Sequence, residues 1–283
     1  MIVSVRCVTD PACIWSWAFE PVVRALMVEF GEDLEWTFAM GGLAQSWTAE
    51  DRERMVHHWL EAADESGMPV DPLGWWEAPL SSSHPACRAV KAAERQDPAA
   101  AARYLRALRE GICALRRPLD DPDELATVAT ESGLDGDRVR ADLDSPEVAA
   151  ALAADFEEAR RVPQVARDAG KVRCSRPDDR ERVPFPTLRF DGADGTSTWT
   201  CGVRPLEFVR ERAVAAGARP SGAPRPDPLG ALGRFGRMAT VEVAAVCAIP
   251  AAVAEAELAE LARDGTIEAT PVLTGRLWHA AGR

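Results

Sequence analysis

Asp10-Pro11-Ala12-Cys13-Ile14-Trp15-Ser16-Trp17-Ala18-Phe19-Glu20-Pro21 follows directly on the apolar run Ile2 to Val8. A β-branched run that breaks at Asp-Pro and delivers a cysteine to the first turn of a helix sets the sulfur beside free backbone N–H groups, at the positive end of the helix dipole. The thiolate is the form of cysteine that reacts. Cys13 is therefore a candidate nucleophile, with a pKa expected below that of a free thiol. Ser16 stands three residues on, where a redox pair carries its second cysteine, so the motif is Cys-x-x-Ser.

Working outward, Val22, Val23, Leu26, Met27 and Phe30 have helical spacing up to Gly31, and Leu34 to Met40 alternates as a strand. This is a β-α-β unit, for which parallel strands are expected. Residues 48 to 63 read as a helix and Asp71 to Gly74 as an irregular loop. From residue 84 to 170 the chain is rich in Ala, Arg and Glu, punctuated by Asp-Pro, Gly and Ser-Pro, and reads as helices throughout. Thr187 to Phe190 and Thr196 to Cys201 flank Asp191-Gly192-Ala193-Asp194-Gly195 as a hairpin, and Pro205 to Ala216 reads as a helix.

The order of strand, Asp-Pro, Cys-x-x-Ser, Trp and Glu-Pro resembles the active-site segment of the DsbA-like branch of the thioredoxin superfamily, close to FrnE-type oxidoreductases and SpxH/YjbH-type protease adaptors. Pro21 falls eight residues after Cys13, where thioredoxin-fold proteins kink their first helix. Ser83-His84-Pro85-Ala86-Cys87-Arg88-Ala89-Val90-Lys91-Ala92-Ala93 resembles the helix start of that branch's inserted subdomain. Val183-Pro184-Phe185-Pro186-Thr187-Leu188-Arg189-Phe190 resembles the segment carrying the superfamily's cis-proline.

The resemblance implies an α/β, thioredoxin-like fold over residues 1–218, with an all-helical insertion at about 45–175. It places the cis-proline at Pro186, with Pro184 as the competing assignment, opposite Cys13 where a strand edge can pair with a peptide substrate. Cys13, Ser16 and Pro186 form the expected catalytic set, and Trp15, Phe185, Thr187 and Cys87 the expected cleft. Cys87 is open between a buried packing residue and an unconventional resolving thiol.

Composition bounds the alternatives. The chain has 283 residues, 47% of them hydrophobic, enough to bury a large core. No run approaches the roughly 18 apolar residues of a membrane span, and Met1 to Arg6 enters a strand without a basic leader, so a cytoplasmic protein is expected, with no membrane partner. The seven cysteines (Cys7, Cys13, Cys87, Cys113, Cys174, Cys201, Cys247) form no disulfide pattern and are expected to be mostly buried and reduced. A net charge of -12 repels phosphate backbones and disfavours nucleic acid as a partner. His84-x-x-Cys87 lacks the second ligand pair that a tetrahedral metal site needs, so no metal is expected. Seven of the nine tryptophans fall within the first 76 residues; Trp17 and Trp36 are expected in the core, and Trp47, Trp75 and Trp76, among Gly, Pro and Ser, along a cleft.

Four prolines between Pro220 and Pro228 mark residues 219–228 as a linker, and residues 229–283 read as two helices and a two-stranded ribbon, a winged-helix-like module. With five Arg and no Lys against six acidic residues, this module lacks a DNA reader's basic footprint and is expected to serve a homodimer or a protein partner.

Ser16 cannot release a mixed disulfide as a second cysteine does. A thiol–disulfide oxidoreductase working through one cysteine is therefore the leading expectation, with a protein or small-molecule thiol or disulfide as substrate. No bound cofactor is expected, and glutathione or another low-molecular-weight thiol would be the co-substrate. A non-redox adaptor of the SpxH/YjbH type is the alternative. An enzyme similar to kappa-class glutathione transferases and isomerases comes third, since that group usually carries serine where Cys13 stands.

Overall fold

The computed structural model describes residues 2–174 and 180–282. The chain opens with β1 (Val3–Thr9), α1 (Ile14–Ala18), α2 (Glu20–Phe30) and β2 (Leu34–Met40). The insertion follows as α3 (Arg52–Ser66), α4 (Gly74–Glu77), α5 (His84–Glu94), α6 (Pro98–Ala114), α7 (Pro122–Glu131), α8 (Gly136–Asp142), α9 (Pro146–Ala159) and α10 (Gln164–Asp168). Then come β3 (Thr187–Asp191), β4 (Ser197–Cys201) and α11 (Leu206–Ala215). The sheet order is β2-β1-β3-β4, with β1 and β2 parallel and the other pairs antiparallel.

Strand alternation decides what each face of β1 meets. Val3, Val5 and Cys7 pack with Phe19, Leu26 and Phe30 near α2 and with Val209 of α11. Full burial of each large apolar side chain here contributes about 1.5–3 kcal/mol. On the opposite face Arg6 reaches Asp155 at 2.9 Å and Glu158 at 2.8 Å, which ties α9 to the sheet. Asp155 also accepts from the Met40 backbone N–H at 2.9 Å.

The Asp-Pro and Ser-Pro breaks in the sequence are helix starts. Asp97, Asp121 and Ser145 cap α6, α7 and α9 with their side chains, each with proline at the first helical position, where its missing N–H costs nothing. Asp227-Pro228 makes the same signature before α12 (Pro228–Phe235), a helix the sequence reading passed over. The insertion core gathers Trp17, Trp59, Trp75, Tyr104 and Leu108.

The cleft expectation for Trp75 is corrected by this packing. Trp75 is 3% exposed and stands edge-on to both Trp47 and Trp59. Gly, Pro and Ser neighbours mark an irregular backbone, which is compatible with burial when the ring has partners. Trp76 does face solvent, and Trp36 is only half-buried.

After α12 the chain forms β5 (Met238–Ala239), α13 (Thr240–Cys247), α14 (Ala251–Arg263), β6 (Ile267–Val272) and β7 (Gly275–Ala280), with a sheet ordered β5-β7-β6. This unit has its own core around Leu232, Val243, Leu258 and Trp278, which Val28 of α2 joins. The preceding segment runs along α2, with Arg225 on Glu29 at 2.8 Å and the Ser221 backbone N–H on the Glu29 carbonyl at 2.8 Å. Glu242 of α13 is fully buried against Arg24 at 3.1 Å and Arg106 at 3.2 Å. The unit that follows the proline-rich segment is thus packed against α2 and α6, because its buried carboxylate has its counter-charges on those helices.

Candidate functional site

Cys13 caps α1 with an extended backbone (φ -80°, ψ 109°), and its carbonyl accepts from the Ser16 and Trp17 N–H groups at 3.0 and 3.1 Å. Its thiol is 4% exposed, packed among Val8, Ala39, Ala159, Val183 and Phe185, with Trp15 against the same cluster. The sulfur donates to the Phe185 carbonyl at 3.7 Å. The Phe185–Pro186 peptide bond is cis, and Thr187 Oγ1 donates to the Pro184 carbonyl at 2.7 Å. Cys13, Phe185 and Pro186 thus come together across the ends of α1 and β3.

The expected acidification of Cys13 is corrected. Burial pushes the thiol up; hydrogen bonds from the Ser16 hydroxyl and N–H and the charge of Arg182 oppose it, Asp10 reinforces it, and the balance is raised. The helix that was to stabilise the thiolate is only five residues long, too short a dipole to offset desolvation.

Behind Ser16 runs a hydrogen-bonded line. Arg109 is paired with Glu20 and donates to Thr9 Oγ1; Thr9 in turn donates to Ser16 Oγ at 2.8 Å. Every member of this line is at most 5% exposed. Burial alone would raise the Glu20 carboxyl, but Arg109, Arg106 and Arg24 hold it below the usual carboxylate range. The sequence reading missed Thr9 and Arg109, and it used Glu20 only as part of the Glu-Pro motif. Their signal lies in Arg103, Arg106 and Glu110, which recur at helical spacing and mark a charged face of α6, but the burial of that face is tertiary.

Cys87 is brought to Asp10. Its thiol donates to Asp10 Oδ2 at 3.3 Å, and Asp10 also accepts from the Ala12 and Leu43 N–H groups and from Ser83 Oγ. Both residues are fully buried, and burial together with the Asp10 carboxylate holds the Cys87 thiol well above its ordinary value. Of the two readings of Cys87, the geometry has the packing one. Phe185 and Thr187 are likewise buried, which leaves Trp15, half-buried with its Nε1 donating to His58 Nε2 at 2.9 Å, as the accessible member of the expected cleft. Among the described residues Cys174 is the exposed thiol, and no group of three or more His, Cys, Asp or Glu side chains is placed to hold a metal. No described helix is long and apolar enough to cross a membrane.

Ser16→Cys tests the turn directly. A thiol at residue 16 stands one helical turn from Cys13, and we expect a disulfide between them after mild oxidation. Mass mapping that finds both thiols free would show that the turn holds them apart.

A cysteine at the head of the first helix of a β-α-β unit, with a helical insertion before the antiparallel half of the sheet, defines a DsbA-like protein of the thioredoxin superfamily. The chain belongs to the family whose model, Thioredoxin_5 (described as thioredoxin), matches residues 7–163, more than half of its length. The ClpXP adapter protein SpxH of Halalkalibacterium halodurans is 35% identical over 161 residues, covering 54% of this chain and 53% of that protein. SpxH of Bacillus subtilis is 32% identical over 155 residues, covering 52% and 50%. The chain thus spans about half the length of the curated relatives it matches.

Among solved structures, a putative protein disulfide isomerase from Nitrosomonas europaea superposes with TM-score 0.58 at 21% identity, over 75% of this chain and 95% of that one. The cytosolic disulfide reductase DsbM from Pseudomonas aeruginosa gives TM-score 0.53 at 20% identity, over 74% and 92%. These two likenesses are of fold.

Proposed function

We propose that the chain performs thiol–disulfide chemistry through Cys13 alone. The observation that carries this reading is the placement of the Cys13 sulfur against the Phe185 carbonyl beside Pro186, with the Ser16–Thr9–Arg109 line behind it. The resting thiol is protonated and covered, so a substrate reaches it by displacing Phe185. On losing its proton, the Cys13 sulfur attacks one sulfur of a disulfide. A mixed disulfide forms and the other sulfur leaves as a thiolate that takes up a proton. Ser16 has no sulfur to complete the exchange. An external thiol, glutathione or another of low molecular weight, attacks the mixed disulfide, leaves as the new disulfide and returns Cys13 as a thiol.

The test is intact-mass measurement after incubation with oxidised glutathione, in a Cys174→Ser background that removes the exposed competing thiol. We expect one glutathionyl adduct, absent from the Cys13→Ser variant. A native protein that stays unmodified sinks the reading.

A second reading is favoured by the SpxH relatives and by the burial of Cys13: a protein-recognition scaffold that presents substrates to a ClpXP protease. Under this reading Cys13→Ser restores the short half-lives of target proteins in cells lacking the chain, as well as the native chain does.

A further inference from the structure

A cavity of about 670 Å³ lies between α2, α6 and residues 233–237 of the C-terminal unit, with Thr9, Ser16 and Pro186 among its lining residues. Ligand sites run from about 300 to 1,000 Å³, so it has room for a small organic molecule. Its charge runs against that of the protein. Arg24, Arg103, Arg106, Arg109, Arg234 and Arg237 line it against Glu20, Glu110 and Glu131, in a chain of net charge -12. Counting buried Glu242 behind Arg24 and Arg106 still leaves cations in excess.

We propose that this cavity binds a small organic oxyanion, a carboxylate or a phosphate ester, carrying an apolar body. The guanidinium fork matches both oxyanions by paired N–H···O bonds. Arg24 and Arg109 are 3% and 5% exposed and held by Glu242 and Glu20, whereas Arg103 is exposed and makes no ion pair among the described residues, so the glutamates do not exhaust the cations of the cavity. Phe19, Val23, Met27, Leu105 and Phe235 supply the apolar wall. Arg234, Phe235 and Arg237 lie beyond residues 7–163, so one side of the cavity is contributed by a part of the chain outside the family match. The site does not depend on thiol chemistry.

The test uses the full chain as Cys13→Ser, so that its outcome is independent of the proposed disulfide exchange. Calorimetry compares phenyl phosphate, benzylsuccinate and neutral benzyl alcohol. At least one anion is expected to bind with Kd at or below about 1 mM, a free energy near -4 kcal/mol, and at least about tenfold more tightly than the alcohol. Which anion binds separates the phosphate from the carboxylate class. Arg103 is exposed and Arg237 partly so, and R103Q/R237Q leaves Arg24, Arg106 and Arg109 in place while removing the Arg237 contact with Glu110; it should weaken the anion at least about tenfold. R276Q, outside the cavity, should leave affinity unchanged. Equal binding of alcohol and anion, no binding of either anion, or unchanged affinity in a folded R103Q/R237Q protein would overturn the proposal.

Discussion

Glu242→Ala should cost the full chain about 3–5 kcal/mol of unfolding free energy, the range for removing one partner of a buried ion pair. Glu242 is fully buried, accepts from the Ala239 N–H at 2.7 Å and faces both Arg24 and Arg106. Without it, Arg24 keeps Glu20, at 3.6 Å, as its one ion-pair partner among the described residues, at a site where it is 3% exposed. The expected result is a lower urea midpoint with an unchanged slope. Arg54→Ala is the control. Its partner Asp51 is 2.6 Å away, but the Arg54 side chain is 68% exposed, and a solvated pair contributes at most about 1 kcal/mol. If Glu242→Ala cost no more than Arg54→Ala, the C-terminal unit would not be held by this network.

Iodoacetamide should alkylate Cys13 at pH 7 more than about tenfold slower than a free thiol, whose pKa is about 8.5. Two causes act together: burial raises the thiol pKa, and the packed residues bar the reagent. Peptide mapping in the Cys174→Ser background reads the rate against pH. The midpoint is expected above that of free cysteine, and a midpoint below it would restore the acidified centre that the motif suggested. The sign for stability follows. A raised folded pKa means that folding favours the protonated thiol, so the contribution is present below the unfolded thiol pKa and is lost as pH rises through the folded value. Cys7, pushed up to about 12 by burial, adds to the same alkaline loss. Melting temperature should therefore fall from about pH 9 upward.

The catalytic expectation and the environment of Cys13 in the fold diverge for a reason that extends beyond this residue. A motif reports backbone placement, and placement at the head of α1 is what the structure has. Reactivity depends also on what covers the sulfur, and part of that cover comes from Ala159, Val183 and Phe185, more than a hundred positions away. The same separation explains the tryptophans. Trp17 reads as core from its helical setting and is fully buried, whereas Trp75 is buried because α3 supplies Trp59 beside it.

Local rules carried much of the architecture. Alternation set the two faces of β1, Asp-Pro and Ser-Pro pairs set the helix starts, and the Asp-Gly turn set the hairpin of β3 and β4, with Gly195 at φ 86° where an L side chain would be strained. All of these depend on dihedral preferences and hydrogen bonds within a few residues, so one sequence states them.

The sequence by itself therefore determined the thioredoxin-like class, the helical insertion and the position of Cys13 with Ser16 one turn on. The tertiary structure decided which charges meet. Glu20 with Arg109, Cys87 with Asp10, Arg6 with Glu158, and Glu242 with Arg106 are pairs 77 to 152 positions apart along the chain. Their energies turn on distance and desolvation, quantities that exist only once the chain has folded.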